Sequence, residues 1–441
     1  METSPGNHSF RSEPYAWGVV ALLCIGGMIS MLDRQVLILL VEPIKASLGI
    51  SDTEVALLQG FAVAIFYGLL AVPLGRLADT GKRTTIIAAG AFFFSLSTMA
   101  GGFALSFGAL FATRLCVGIG EATLTPAGSS MLGDYFPPQK VSRAMGFFIG
   151  SSFAGSGLSL VIIGAFLGWL ASNPGFGFPL IGRLEDWQMV FIAASLPGLA
   201  FAAAFMFIKE PPRSQGLAIA STGTASLAEV FAFIRQNIRL LGPILLGLPL
   251  LAAGQFGLSV WTPSFFIRTY GWSAPEIGPV FGLMVSTIST AGVITGGWLA
   301  ERQLARGRTE ANLSVSMLGA LCAAPFILAF PLAGNATLSL VLLAPVLFFG
   351  VMPFGAGPAA IPILAPNRMR AQLMAVYLLF ANLLGAGLGP WMIAAFTDSV
   401  LQDPAAIRWS ISIVGTSVIL SGAAIVGLGA RAIRTAQLKA A

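Results

Sequence analysis

The chain has 441 residues, 56% of them hydrophobic and only 10% charged, with a mean hydropathy of +0.85 and a net charge of +6. Soluble domains carry about 25% charged residues, so this composition excludes a soluble globular protein and indicates an all-α polytopic membrane protein. Cys24, Cys116 and Cys322 all fall in apolar runs without paired or metal-ligand spacing, so they read as small buried residues. Neither a metal nor a cofactor is expected.

Residues 1–14 lack a basic region followed by an apolar run and a small-residue cleavage site, so the first apolar segment is expected to stay as a span. A helix needs near 20 residues to cross about 30 Å of hydrocarbon. On that measure twelve spans follow in order, at about 15–43, 53–78, 84–105, 107–132, 141–171, 187–208, 240–267, 275–300, 311–332, 337–364, 368–396 and 406–430. The sizeable polar connection, 209–239, ends in SLAEVFAFIRQNIR, which has the pattern of an interfacial amphipathic helix. The expected organisation is a bundle over 1–208, a linker over 209–239 and a second bundle over 240–441.

Basic residues stay on the cytoplasmic side of a membrane. With the N-terminus inside, 18 of the 24 Lys and Arg fall in inner segments and four in outer loops, while Arg34 and Arg114 lie within spans. Both termini are therefore expected in the cytoplasm, in a plasma (inner) membrane protein. The net charge then needs no nucleic acid, because these residues meet anionic headgroups of membrane lipids.

The chain also repeats itself. GISDTE (Gly49–Glu54) and GWSAPE (Gly271–Glu276) lie 222 residues apart, and GRLAD (Gly75–Asp79) and GWLAE (Gly297–Glu301) share that offset. Two similar six-span halves follow, as in many carriers. Ser51 with Glu54, and Ser273 with Glu276, have capping-box spacing at the starts of the second and eighth spans.

Four ionisable residues sit deep in the first half: Asp33 and Arg34 in span 1, Arg114 and Glu121 in span 4. A charge at the bilayer centre costs roughly 2.5–3.5 kcal/mol on insertion scales, which makes such residues functional candidates. At about 1.5 Å per residue, Asp33 lies near 13 Å from the outer end, Arg114 near 10 Å and Glu121 near 21 Å. Asp33 and Arg34 point about 100° apart, leaving Arg34 to face a cavity or a second acid. His8 is the only histidine and lies in the tail, so a proton carrier within the membrane must be an acid. Burial favours the protonated carboxyl and a nearby Arg opposes it. Asp33, matched in depth to Arg114, is expected to stay ionised; Glu121, with no equally obvious partner, is expected to carry the proton. An anionic headgroup would be held by Arg34 or Arg114.

The second half offers neutral surface instead: Gln255 and Trp261 in span 7, Phe348, Phe349, Met352 and Phe354 in span 10, Tyr377, Phe380 and Asn382 in span 11. Gln255, Tyr377 and Asn382 are the expected substrate contacts there. Charges on one wall and aromatics on the other suit an amphipathic ligand. GSSFAGSG (Gly150–Gly157) and GAGLGP (Gly385–Pro390) suit close approach or bending of helices.

The loop between spans 2 and 3, with Gly75, Leu77, Ala78, Asp79, Gly81, Lys82 and Arg83, resembles the signature of the major facilitator superfamily. That resemblance implies two six-helix bundles that alternate access to a central site. Such a loop can act as a conformational latch, its acid facing a helix N-terminus and its basic residues facing nearby acids. Gly75, Asp79, Lys82 and Arg83, with Arg143 and the degenerate second copy at Glu301, are the expected latch residues. RLCVGIGEA (Arg114–Ala122), DYFP (Asp134–Pro137) and the Asp-Arg of span 1 further resemble the spinster-like branch. This implies that spans 1 and 4 adjoin and that the substrate is a lysophospholipid or sphingosine-phosphate type of lipid.

Other classes fit less well. GRLADTGKR misses the P-loop in spacing and identity, no H-E-x-x-H occurs, and a lone tail histidine cannot serve a triad. The reading is a monomeric, proton-coupled secondary transporter of an amphipathic lipid-like substrate. The alternatives are a proton-coupled exporter of drugs or other small organic molecules and, in another class, a channel or lipid scramblase.

Overall fold

The computed structural model describes residues 13–62, 65, 77, 81–177, 182, 184–212 and 227–440. Eleven helical segments among them are long and apolar enough to cross a membrane. They are α1 (Glu13–Leu39), followed by the short α2 (Val41–Leu48) and α3 (Asp52–Ala56), then α4 (Arg83–Gly101), α5 (Phe107–Tyr135), α6 (Pro138–Ser172) and α7 (Asp186–Phe205). After the connecting helix α8 (Leu227–Gln236) come α9 (Ile238–Tyr270), α10 (Ala274–Leu304), α11 (Ala311–Leu332), α12 (Ala336–Leu364), α13 (Gln372–Leu401) and α14 (Pro404–Thr435). The remaining expected span, 53–78, starts with α3 and a π-helical turn at Leu57–Phe61, and most of its length lies outside the described residues. No strand occurs among the described residues.

Proline places several interruptions. The breaks at Leu40, at Ala122–Thr123 and at Gly350–Val351 each precede a proline by one turn, Pro43, Pro126 and Pro353. The missing N–H of each proline strands a carbonyl four residues back. The middle break follows directly on Glu121 and so marks the depth of that carboxylate along α5. Both expected capping boxes form, Ser51 with Glu54 and Ser273 with Glu276.

The halves meet where side chains are smallest. A Cβ on Gly157 of α6 would overlap the Gly282 carbonyl of α10, and one on Gly60 would overlap the Ala386 carbonyl of α13. Gly155 lies equally close to α1, where a Cβ would fall 2.8 Å from Met28 Cα. Gly60 and Ala386 both belong to π-helical turns, Leu57–Phe61 and Ala381–Leu388. Such turns concentrate at functional sites.

Candidate functional site

A cavity of about 320 Å³ lies between the halves. Asp33, Arg34 and Gln35 of α1 line it, with Arg114 and Val117 of α5, Ser152 and Ser156 of α6, and Leu58–Gly60. The facing wall comes from Phe256, Ser259 and Val260 of α9 and Asn382, Ala386 and Pro390 of α13. Among the described residues, the ionisable ones that line it all come from α1 and α5.

The four deep charges form two pairs. Arg114 Nη1 stands 3.7 Å from Asp33 Oδ1, and Arg34 Nε donates to Glu121 Oε2 at 2.6 Å. Neighbours in sequence thus reach different partners, as a 100° step around α1 requires. The Thr98 hydroxyl of α4 donates to Asp33 Oδ1 and accepts from Arg114 Nη2 at 3.3 Å, while Nη1 also donates to the Asp33 carbonyl at 3.4 Å. The Arg114 guanidinium lies over Phe191, 4.8 Å from the ring centroid. Arg114 and Asp33 are therefore sealed in, with side chains 1% and 3% exposed, whereas Arg34 is 30% exposed on the cavity side of a fully buried Glu121. Glu121, for which no equally obvious partner was expected, has Arg34 as its partner, which reaches this second acid across the space between α1 and α5.

Asp33 Oδ2, Arg114 Nε and Glu121 Oε1 are buried without a hydrogen-bond partner among the described residues. A network left partly unsatisfied at such depth is a poor structural staple, because each orphaned polar group costs about 1–3 kcal/mol. Gln35 extends it toward α6, donating to the Ser156 hydroxyl.

On the facing wall Asn382 lines the cavity, with Nδ2 donating to the Leu378 carbonyl at 2.8 Å. Gln255 and Tyr377 do not line it. Gln255 is buried with Oε1 against Gly350 of α12, and Tyr377 is buried within the core. The aromatic of this wall is Phe256, one residue on from Gln255, with Phe354 edge-on behind it at 6.0 Å. Phe348 and Phe349 pack on each other, and Trp261 is buried with Nε1 donating to the Pro390 carbonyl at 2.9 Å.

Away from the cavity lining, the halves are joined by ion pairs that sequence reasoning missed. Arg268, near the end of α9, donates from Nη1 and Nη2 to Asp52 at 2.6 and 2.7 Å and from Nε to Glu42 at 2.8 Å. Lys45 also pairs with Asp52. Thr53 donates from its backbone N–H and its hydroxyl to Asp398 of α13, each at 2.7 Å.

Of the expected latch residues, Gly75 and Asp79 lie outside the described residues. Lys82 caps α4, and Arg83 is buried between Asp134 of α5 and Glu210, 2.7 Å from the latter. Burial raises the Glu210 carboxyl's proton affinity, but hydrogen bonds from Thr84 and Arg83 outweigh it and hold the group below its ordinary range. Arg143 is exposed and lies over the rings of Trp17 and Phe147, while Glu301 is exposed with no ion pair among the described residues. Glu210 and the Arg268 cluster gave no sequence signal beyond their charge.

Known proteins resemble the chain in sequence and in fold. The chain is 27% identical over 398 residues to an MFS-type efflux pump of Mycolicibacterium smegmatis, covering 90% of this chain and 88% of that protein. It is 26% identical to protein spinster homolog 3 of Danio rerio, covering 93% and 82% respectively. A bacterial homologue of the human lysosomal transporter Spinster, solved inward-facing and unoccupied, superposes with a TM-score of 0.81 at 23% identity over 96% of this chain and 98% of that one. Residues 23–390 match the family model of the Major Facilitator Superfamily, and the chain belongs to that family of transporters.

Proposed function

We infer that the chain moves an amphipathic, anionic lipid-like substrate of lysophospholipid or sphingosine-phosphate type, and that movement is coupled to protons. The observation that carries this reading is the Arg34–Glu121 pair, with a partly exposed cation on the cavity wall and its fully buried carboxylate behind. An anionic headgroup reaching Arg34 competes with Glu121 for the guanidinium. Glu121 deprived of that charge takes up a proton, since a lone buried carboxylate is costly. Protonation of Glu121 in turn releases Arg34 to the headgroup. Proton and substrate therefore favour each other's binding, by reciprocal linkage.

The Asp33–Arg114 pair, sealed by Thr98 and Phe191, holds α1, α4 and α5 in register around this exchange. Apolar side chains such as Met31, Leu37, Leu58 and Phe256 accept the tail. The halves, 1–208 and 240–441 joined by 209–239, rock about the cavity, with both termini in the cytoplasm and the Arg268 cluster on the outer side of the inner membrane. The resemblance of Arg114–Ala122, Asp134–Pro137 and the Asp-Arg of α1 to the spinster-like branch supports the lipid class. The carrier works as a monomer.

The test is a proteoliposome assay of labelled lysolipids with and without an imposed pH gradient. Gradient-dependent accumulation, with proton uptake on substrate addition, is the expected result. Flux indifferent to the gradient overturns the coupling and favours a channel or scramblase. Selective uptake of small organic molecules over lysolipids favours the drug-exporter reading.

A further inference from the structure

Outside the central cavity, a groove of about 540 Å³ runs between α11 and α14 on the flank of the second half. Its α14 wall is a stripe at three- and four-residue spacing, Leu420, Ala424, Gly427, Arg431 and Arg434. Leu420 lies apolar and half exposed at one end, and two exposed arginines stand one turn apart at the other. Across from them stand Glu310, the N-cap residue of α11, at the charged end and Met317 of α11 along the floor. Gly427 lets Met317 of α11 pack closely against α14 at the groove floor, since a Cβ there would fall 2.8 Å from the Met317 sulfur.

We propose that this groove binds one anionic phospholipid of the surrounding bilayer, with a single phosphodiester between Arg431 and Arg434 and an acyl chain along the groove past Met317 toward Leu420. Length, charge and headgroup chemistry agree. From Leu420 to Arg434 the stripe spans about 21 Å at 1.5 Å per residue, which matches one leaflet with its headgroup region, half of about 40–45 Å. Two arginines and one glutamate leave a net +1, the complement of one phosphodiester. Among the described residues neither arginine has a carboxylate within ion-pair distance, so both are available to a ligand. Glu310 opposite favours a headgroup with hydroxyl donors, such as the glycerol of phosphatidylglycerol. The site is separate from the central cavity and would hold a resident lipid whatever the transported substrate is.

The experiment is native mass spectrometry of the full-length protein titrated with phosphatidylglycerol, phosphatidylcholine or inorganic phosphate. It compares the wild type, Arg431→Gln/Arg434→Gln, and Arg302→Gln/Arg306→Gln as a control for exposed basic charge elsewhere. The wild type and the control are expected to retain phosphatidylglycerol in preference to phosphatidylcholine. The Arg431/Arg434 variant should bind it roughly 25-fold more weakly, since each basic residue near a bilayer surface contributes about a factor of five. Equal retention by all three proteins overturns the site, as does an equal loss in both variants. Displacement of the lipid by inorganic phosphate would assign the arginines to a free anion instead.

Discussion

Arg268 holds Asp52 with two parallel hydrogen bonds, Nη1 to Oδ2 at 2.6 Å and Nη2 to Oδ1 at 2.7 Å, and thereby ties one half of the transporter to the other. The acid is fully buried and the arginine side chain is 8% exposed. A fork-to-fork pair of this kind is specific in geometry and resists screening by salt. On the alternating-access cycle proposed above, this end parts and the pair breaks in every cycle.

Arg268→Gln should therefore shift the resting population toward opening at this end. Asp52 keeps Lys45 as a partner, so the variant costs the closed arrangement the charged hydrogen bonds between the halves, about 1.5–3 kcal/mol, enough to move a conformational ratio roughly tenfold or more. Spin labels on exposed Ser47 and Ala405, in a background without the three native cysteines, would report the distance across the gate. A longer distance is expected for the variant. An unchanged distribution would show that Thr53 and Asp398 suffice to keep this end closed.

A second prediction separates guanidinium geometry from charge. Arg34→Lys keeps the charge but gives up the planar fork that can hold Glu121 or a headgroup through paired donors. Transport should fall about tenfold or more, and the apparent affinity for an anionic lysolipid should weaken along with it. Arg114→Lys should lower transport too, through a different route. Thr98, the Asp33 carbonyl and the Phe191 ring all shape themselves to a flat guanidinium, so the loss should appear in protein yield and thermal stability as well. Full transport by both variants would favour a neutral substrate.

Much of this arrangement could be read before any coordinates. Ser51 and Glu54, repeated at Ser273 and Glu276, announced two related halves, and both caps form as spaced. Asp33, Arg34, Arg114 and Glu121 stood out because charge inside a span is expensive. Their pairing was only half legible. Depth along the membrane matched Asp33 to Arg114, but Arg34 reaches Glu121 through side-chain length, which residue counting leaves out. Helical phase caused the misplacement of Gln255. One step of 100° puts Phe256 on the cavity wall and turns Gln255 toward Gly350. Arg268 and Asp52 are 216 residues apart, and as single charges near span ends they carried information about topology alone.

The buried Arg83 cluster yields a pH prediction for the start of the linker. Glu210 accepts from the Arg83 guanidinium, the Thr84 backbone and the Thr84 hydroxyl, and its carboxyl is held below the ordinary glutamate value of 4.5. A depressed folded-state value means that the contribution is fully present above about pH 4.5 and is lost as pH falls through the folded value. Glu210→Gln should thus lower the apparent Tm at pH 7, by the equivalent of about 2 kcal/mol. The gap between variant and wild type should narrow as pH falls below 4.5. A gap that stays constant from pH 7 to pH 4 would mean that Glu210 acts through packing and not through its charge.

The last prediction assigns the proton. Glu121→Gln keeps the shape of the side chain and removes the charge that occupies Arg34, so it mimics the protonated carrier. Substrate binding and counterflow exchange should persist, while accumulation driven by a pH gradient should disappear. Asp33→Asn should behave differently. It leaves Arg114, with a side chain 1% exposed, beside a neutral amide, and a buried cation stripped of its partner is the more damaging defect, at about 3–5 kcal/mol. Both counterflow and gradient-driven uptake should fail in that variant, with reduced stability. Measuring the two activities for both variants in the same liposome preparation distinguishes a proton carrier from a structural pair. Gradient-driven accumulation retained by Glu121→Gln would remove Glu121 from the carrier role. Asp33, the other deep acid of the cluster, would then be the group that must release its arginine to take up the proton.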